Sequence, residues 1–263
     1  MGERSSCLVQ KDDSLYEIAR RNDMGINAIS TANPGVDPLI PEPHTRVVIP
    51  SEWILPDAPF KRGIIINIAE MRLYYFPRNN SREVVTFPVG IGDQGKDTPL
   101  GTFTIVEKIR NPAWYVPASI RREKPQLPAI VPPGPDNPMG SHALRLSNET
   151  VLIHGTDRPW GIGSRDSHGC IRLYQDDIAR LFSMVPRGTR VTIVNQPVKA
   201  AMVAGKVLME VHDYGDGRDL FSEALKLLAK KNLLARVDVN RVKKACRERR
   251  GLPVNISNKR SPS

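Results

Sequence analysis

Apolar positions along the chain follow two spacings, and the spacing changes near residues 60 and 197. In the first stretch, Cys7-Leu8-Val9-Gln10 reads as a short strand. Leu15, Ile18 and Ala19 fall at i, i+3 and i+4, one face of a helix that Asp13 is placed to cap. Ile26-Asn27-Ala28-Ile29-Ser30 fits a second short helix. Thr31-Ala32-Asn33-Pro34-Gly35 is a turn signal, and Thr45-Arg46-Val47-Val48-Ile49-Pro50 closes on a strand. The pattern predicts a small βααβ module over residues 1–52. Residues 51–60, carrying Pro56 and Pro59, read as a linker.

Residues 60–196 switch to short apolar runs separated by turns. Gly63–Ile68 and Met71–Phe76 pair naturally across Ala69-Glu70, and further runs lie at 84–89, 101–106, 144–146, 151–153 and 191–194. Many short strands spaced by turns predict a sandwich or barrel. Six prolines between Pro125 and Pro138 exclude central sheet or helix interior there, which leaves a lid over a site or a fixed surface loop. From 197 to 263 the pattern is a strand, Val207–Val211, then two amphipathic helices. The first spans Asp219–Leu234 with Leu220, Phe221, Ala224, Leu225 and Leu228 on one face; Asp238 caps the second, which bears Val239, Val242 and Cys246. The last dozen residues read as frayed. The fold class expected is mainly β, α+β overall, with a βααβ N-terminal domain and a short helical C-terminal subdomain.

Composition narrows the picture. Hydrophobic residues make up 40% of the 263, enough to bury a core and to exclude a wholly disordered chain. No apolar run approaches the roughly 18 residues of a membrane span. From Lys226 onward twelve Lys and Arg stand against two acids, which accounts for the whole net charge of +10. Such a tail is either a solvated helical face or a contact for an anionic surface. The N-terminus shows no secretory signal. The 3 cysteines, Cys7, Cys170 and Cys246, exclude a disulfide-dense scaffold and leave at least one thiol unpaired within the chain.

Candidate chemistry sits in two places. Gly90-Ile91-Gly92-Asp93-Gln94-Gly95 matches the dinucleotide pattern G-x-G-x-x-G, but Pro99 and a strand follow where the phosphate-binding helix should begin, so it reads as a glycine-rich turn. The second place is Val-Leu-Ile-His154-Gly155-Thr156 followed by Ser167-His168-Gly169-Cys170-Ile171-Arg172. His154 ends an apolar strand. Gly169 permits a sharp turn and leaves backbone N–H groups unscreened near the Cys170 sulfur, where they suit an oxyanion. An imidazole within hydrogen-bond reach of Cys170 favours the nucleophilic thiolate, the arrangement of Cys–His acyl transfer without metal or cofactor. The residues alone do not choose between His154 and His168. Two other readings of the same cluster are a zinc site made of Cys170, His168 and His154, and a buried structural thiol.

At these residues the chain resembles the YkuD-type L,D-transpeptidases, in particular the periplasmic ErfK/YbiS-like subgroup that handles peptidoglycan and the Braun lipoprotein. The likeness covers about residues 60–196 and includes Arg72–Phe76, Asp97–Gly101, Asn111–Trp114, Pro117–Arg121 and Pro132–Pro138. It implies a mostly β sandwich domain with its site in a cleft, Cys170 as nucleophile, His154 as base and the Gly155 carbonyl orienting His154. Ser167, His168 and Gly169 then shape the pocket. Arg172 either meets a substrate carboxylate or braces the loop by ion pairing. The implied reaction releases D-Ala from a tetrapeptide stem and leaves a thioester. An amine then takes the acyl group: diaminopimelate of another stem, or the C-terminal Lys of the lipoprotein. Water as acceptor gives a carboxypeptidase instead, and a non-catalytic wall-binding protein is the reading from another class. The resemblance also implies acylation by carbapenems.

Residues 7–50 resemble a LysM domain through Asp13–Ala19, Asn33-Pro34 and Val48-Ile49-Pro50, which implies binding of N-acetylglucosamine-containing glycan. Asp12 and Thr45 stand where glycine is usual in that family, so the fold carries over more fully than the sugar-binding surface. The partners expected are peptidoglycan and, as acceptor, the lipoprotein; nucleic acid is not among them. Peptidoglycan lies outside the cytoplasm, so the expected place is the periplasm with the signal removed. In an oxidising compartment, Cys7–Cys246 is the one intramolecular pairing that leaves Cys170 free.

Overall fold

The computed structural model describes residues 1–58, 62–77, 83–148 and 150–258. Its chain forms two compact units. One comprises Met1–Pro59, Asn67–Glu70 and Val194–Ser263, the other Phe60–Ile66 and Met71–Ile193. The N-terminal module and the C-terminal segment, separate by sequence pattern, therefore fall within one unit.

In the first unit, β1 (Ser5–Leu8), α1 (Leu15–Arg21), α2 (Ile26–Ala32) and β2 (Arg46–Ile49) reproduce the predicted order, with β1 antiparallel to β2. Leu15, Ile18 and Ala19 from α1 and Ile26 and Ile29 from α2 are buried against Val47 and Ile49. The cap of α1 is one residue later than expected. Ser14 Oγ accepts the Glu17 N–H at 3.3 Å while the Glu17 carboxylate accepts the Ser14 N–H at 2.9 Å. This reciprocal pair satisfies two orphan donors at once and outcompetes Asp13. Asp13 instead accepts the Gln10 N–H at 2.9 Å and pairs with Arg21 at 2.8 Å. Asp12 has φ 66°, the left-handed conformation that explains why glycine is usual at that position.

The second unit begins with β3 (Gly63–Asn67), β4 (Arg72–Phe76) and β5 (Val85–Pro88). Then come β6 (Ile91–Gly92), β7 (Gly101–Arg110), β8 (Trp114–Tyr115), α3 (Ala118–Glu123) and β9 (Ile130–Val131). It closes with β10 (His142–Leu146), β11 (Leu152–His154), β12 (Arg165–Ser167), β13 (Ile171–Arg172), α4 (Gln175–Met184) and β14 (Arg190–Val194). Eight strands form one sheet in the order β13-β11-β10-β7-β14-β3-β4-β5, and β12 pairs in parallel with β6. All the predicted strands are present. The sequence pattern did not reveal α4, which opens on Gln175-Asp176-Asp177 with no side-chain cap at Tyr174. Its buried residues, Ile178, Leu181 and Phe182, were nevertheless spaced i, i+3, i+4. Lys108 Nζ closes its far end on the Phe182 and Val185 carbonyls at 2.7 and 2.8 Å, where a cation suits the helix dipole.

The proline-rich stretch is a fixed loop. Its β9 pairs with β8, and the buried Asn137 amide donates to the carbonyls of Pro112, Val131 and Pro132 at 2.9–3.2 Å.

The C-terminal part of the first unit adds β15 (Val198–Val203), which the sequence pattern missed, then β16 (Lys206–Val211), α5 (Leu220–Lys230), α6 (Val239–Glu248) and β17 (Val254–Asn255). Asp238 caps α6 as expected; Asp219, expected as the first residue of a helix running to Leu234, is instead the cap of α5, which ends at Lys230, and Leu220, Ala224, Leu228, Val242 and Cys246 are buried. Val239, expected on the apolar face, is exposed in the first turn of α6. The end is less frayed than expected, since β17 pairs with β16; the stretch 259–263 lies outside the described residues. Nor are residues 51–58 a loose linker: the Ile54 N–H donates to buried Glu210 at 2.6 Å, and Asp57 pairs with Lys231 at 2.7 Å. Pro59 lies outside the described residues. All three cysteines are free, so Cys7 and Cys246 form no bridge.

Candidate functional site

The site lies at one edge of the large sheet. The parallel pair β11–β13 sets Ile153 beside Ile171 and His154 beside Arg172. Continuing that register back one residue places Cys170 beside Leu152. By the period-two alternation of strands, Leu152, His154, Cys170 and Arg172 then share a face. Two of the proposed catalytic groups thus come from neighbouring strands of a rigid sheet.

His154 is buried, and its Nδ1 lies 2.6 Å from the Gly155 carbonyl. A carbonyl can only accept, so Nδ1 carries the proton and Nε2 of the neutral ring carries the lone pair. Burial pushes the imidazole down to about 4, and the charge of Arg172 acts the same way; the carbonyls of Gly155, Met139 and Pro138 oppose it. The ring is neutral at pH 7 and able to take a proton.

Cys170 is half-buried. Its thiol donates to the Thr150 carbonyl at 3.8 Å. Among the described residues it makes no hydrogen bond to His154 or His168. Burial raises its pKa, against the pull of a Leu152 backbone hydrogen bond and the Arg172 charge. Burial thus acts against both members of a thiolate–imidazolium pair, raising the thiol and lowering the ring.

The two histidines, equivalent in sequence, are separated by structure. His168 is exposed, with Nε2 2.7 Å from Lys96 Nζ and 3.2 Å from the Glu123 carboxylate. It ties α3 to the signature loop. The three residues of the zinc reading therefore do not converge. Among the described residues, the His, Cys and acidic side chains whose ligand atoms do converge are Glu70, Glu210 and His212. There Lys199 Nζ already contacts both carboxylates, at 2.6 and 2.9 Å.

The loop carrying the sulfur is braced from within and from the glycine-rich turn. Ser167, fully buried, donates from Oγ to the Cys170 carbonyl at 2.6 Å and accepts the Gly169 N–H at 3.2 Å. Gly169 has φ 99°, which disfavours any side chain. Thr98 Oγ1 donates to the Gly169 carbonyl at 3.1 Å and accepts the Gly92 N–H at 2.9 Å. A Cβ on Gly92 would lie 2.2 Å from the Lys96 carbonyl oxygen. Gly92 of the nucleotide-like pattern thus admits close approach of the 96–98 backbone, which carries Thr98. Arg172 pairs with Asp166 at 2.9 Å.

Sequence reasoning missed Lys96, Glu123 and Gln175. Thr98 lay within the Asp97–Gly101 stretch that carried the resemblance, but nothing in the pattern gave it a partner.

Comparison with known proteins matches both the N-terminal module and the strand-rich section to known families. Residues 61–193 match the model of the L,D-transpeptidase catalytic domain (YkuD), and residues 7–50 match the LysM domain. The chain is 48% identical over 222 residues to the "Probable L,D-transpeptidase YcfS" of Escherichia coli, covering 81% of this chain and 69% of that protein. It is 41% identical over 257 residues to the "Probable L,D-transpeptidase ErfK/SrfK" of Salmonella typhimurium, covering 92% and 82%. To the "Probable L,D-transpeptidase YbiS" of E. coli it is 40% identical over 257 residues, covering 92% and 83%.

Proposed function

The chain belongs to the L,D-transpeptidases with a YkuD catalytic domain, here joined to a LysM domain, and from that premise we propose that Cys170 is its acyl-carrying nucleophile and His154 its base. The observation that supports the roles is the buried His154 ring, clamped through Nδ1 on the Gly155 carbonyl at 2.6 Å. That clamp fixes the tautomer whose Nε2 accepts a proton.

Rotation of the Cys170 side chain away from Thr150 brings the thiol toward that nitrogen. The thiol proton passes to Nε2 as the sulfur attacks the carbonyl between the L-centre of diaminopimelate and the terminal D-Ala of a tetrapeptide stem. The Gly169 amide is spent on Ser167, so the Cys170 amide is the proposed donor to the oxyanion. The imidazolium then protonates the departing D-Ala nitrogen, and a thioester remains. An incoming amine, diaminopimelate of a neighbouring stem or the C-terminal Lys of a Braun-type lipoprotein, loses its proton to His154 and takes the acyl group. The LysM domain holds the glycan and raises local substrate concentration. We place this activity in the periplasm, where peptidoglycan lies, and assign the basic tail a contact with an anionic surface.

Incubation with tetrapeptide-bearing disaccharide, followed by mass spectrometry, tests the reading. Crosslinked 3→3 dimers or lipoprotein-peptide adducts, with D-Ala released, are expected; shortened monomers alone would identify a carboxypeptidase. Cys170→Ala abolishes all products. His154→Ala is expected to keep the fold while slowing Cys170 acylation by a carbapenem by 10²–10⁴-fold. An unchanged rate would place the base elsewhere.

A further inference from the structure

Gln175 opens α4 immediately beyond the signature loop, and its carboxamide bridges the two strand ends beside the base. Its Nε2 donates to the Thr156 carbonyl at 2.9 Å. Its Oε1 accepts from both the Ser141 N–H and the Ser141 hydroxyl, each at 3.1 Å. The amide lies flat across two glycines. A Cβ on Gly155 would meet Gln175 Oε1 at 2.7 Å, and a Cβ on Gly140 would meet Nε2 at 2.7 Å and the Gly155 Cα at 2.8 Å. The glycines at 140 and 155 are thus the space that the carboxamide occupies.

We propose that Gln175 is a positioning residue for the general base, acting through the Gly155 carbonyl that it holds in place. This rests on the assignment of His154 as the base. Gly155 is tied on one side to the His142 carbonyl through its N–H at 3.2 Å. On the other side the Thr156 carbonyl accepts from Gln175 Nε2, while Thr156 Oγ1 accepts the Arg158 N–H at 3.0 Å. The Thr156 carbonyl belongs to the peptide after the one that carries the Gly155 carbonyl, so loss of that bond and of the carboxamide packed on Gly155 loosens the backbone on both sides of residue 156 and lets the Gly155 carbonyl drift from Nδ1. The ring then loses its fixed tautomer, and the fraction presenting a lone pair at Nε2 falls. Gln175 touches no reacting atom. Its contribution is geometric, and both ends of the amide are needed: the oxygen for Ser141 and the nitrogen for Thr156.

The test compares Gln175→Ala, Gln175→Glu and Gln175→Asn with the parent in the full chain. Acylation of Cys170 by a carbapenem gives the rate, and nitrogen NMR of the histidine rings gives the tautomer of His154. The expectation is an acylation rate lowered about tenfold in Gln175→Ala, a His154 signal shifted from a single Nδ1–H form to a mixture, and thermal stability close to the parent. Gln175→Glu keeps the acceptor for Ser141 but sets a carboxylate oxygen against the Thr156 carbonyl, so it is expected to behave like Gln175→Ala. Gln175→Asn has the right groups on too short an arm and is not expected to rescue. An unchanged tautomer with a slowed rate would overturn the proposal, as would parental kinetics in Gln175→Glu. If His154→Ala itself leaves acylation unchanged, the assignment of the base has failed, and that result is separate from any behaviour of Gln175.

Discussion

A buried imidazole held down to about 4 makes a measurable demand on stability. The unfolded chain binds the His154 proton with an ordinary pKa near 6.5, whereas the folded chain refuses it until about pH 4. The contribution is therefore fully present above pH 6.5 and is lost progressively as pH falls toward 4, amounting to roughly 3 kcal/mol. Urea unfolding midpoints at pH 7 and 4.5 check this: the parent is expected to lose more stability between the two than His154→Gln, and parallel losses would reject it. The thiol gives a companion expectation. With Cys170 raised by burial, alkylation followed on its own peptide by mass spectrometry should keep accelerating past pH 9 in the absence of substrate. A plateau reached by pH 7 would instead mark a resting thiolate–imidazolium pair. At this scale the proposed reactive residues were legible in the sequence, because His154-Gly155 and Ser167–Arg172 lie in two short segments. It hid the protonation states, which depend on burial, and the partners of His168, which come from Lys96 and Glu123 elsewhere in the chain.

Among the elements, those with a strong local signature were legible. The helices capped by Asp219 and Asp238 and the strands flanking Ala69-Glu70 needed only neighbouring residues to specify them. Elements stabilised by distant partners were not. Helix α4 lacks a capping side chain and is closed by Lys108 of β7, and β15 exists through its pairing with β16. The proline-rich loop left two readings open in sequence because proline says what cannot form, not what holds the chain in place. Asn137 supplies that hold, since its single amide group serves three carbonyls and its Oδ1 accepts the Met139 N–H at 2.8 Å. The carbonyl of Met139 faces the His154 ring, so the knot also borders the site. Asn137→Ala is expected to cost about 1–3 kcal/mol by leaving the buried Pro112 carbonyl and two partly buried ones without this donor. It should also render 112–139 sensitive to limited proteolysis. Cleavage at the parental rate would show that the loop is held by other means.

The largest structural commitment in the molecule is the ionic cluster buried in the first unit. Glu70 from the 67–70 turn, Lys199 from β15, and Glu210 and His212 from and beside β16 meet with little access to solvent. Asn67 donates to Glu70 at 2.8 Å and the Ile54 N–H to Glu210 at 2.6 Å. One cluster thus joins the segment after the LysM domain, the 67–70 turn and the C-terminal strands. Sequence patterning could not show this, because Glu70 and Lys199 lie 129 residues apart. Burial alone would raise the Glu210 carboxyl, but Lys199 and the His212 and Ile54 hydrogen bonds outweigh it and hold it below the usual carboxylate range. The Lys199 ammonium contacts both carboxylates, at 2.6 and 2.9 Å. Removing it takes a positive charge from beside two acids in a low-dielectric interior, where losing one partner of a buried pair is costlier than breaking a surface pair. Lys199→Met is therefore expected to lower stability by about 3–5 kcal/mol in urea, whereas Lys231→Met, which breaks the more exposed pair with Asp57, changes it by less than about 1 kcal/mol. The double variant Lys199→Met with Glu70→Gln removes one of the stranded charges and should recover part of the loss. If the single variant matches the parent, or if the second substitution adds to the loss, the cluster does not hold the unit together electrostatically.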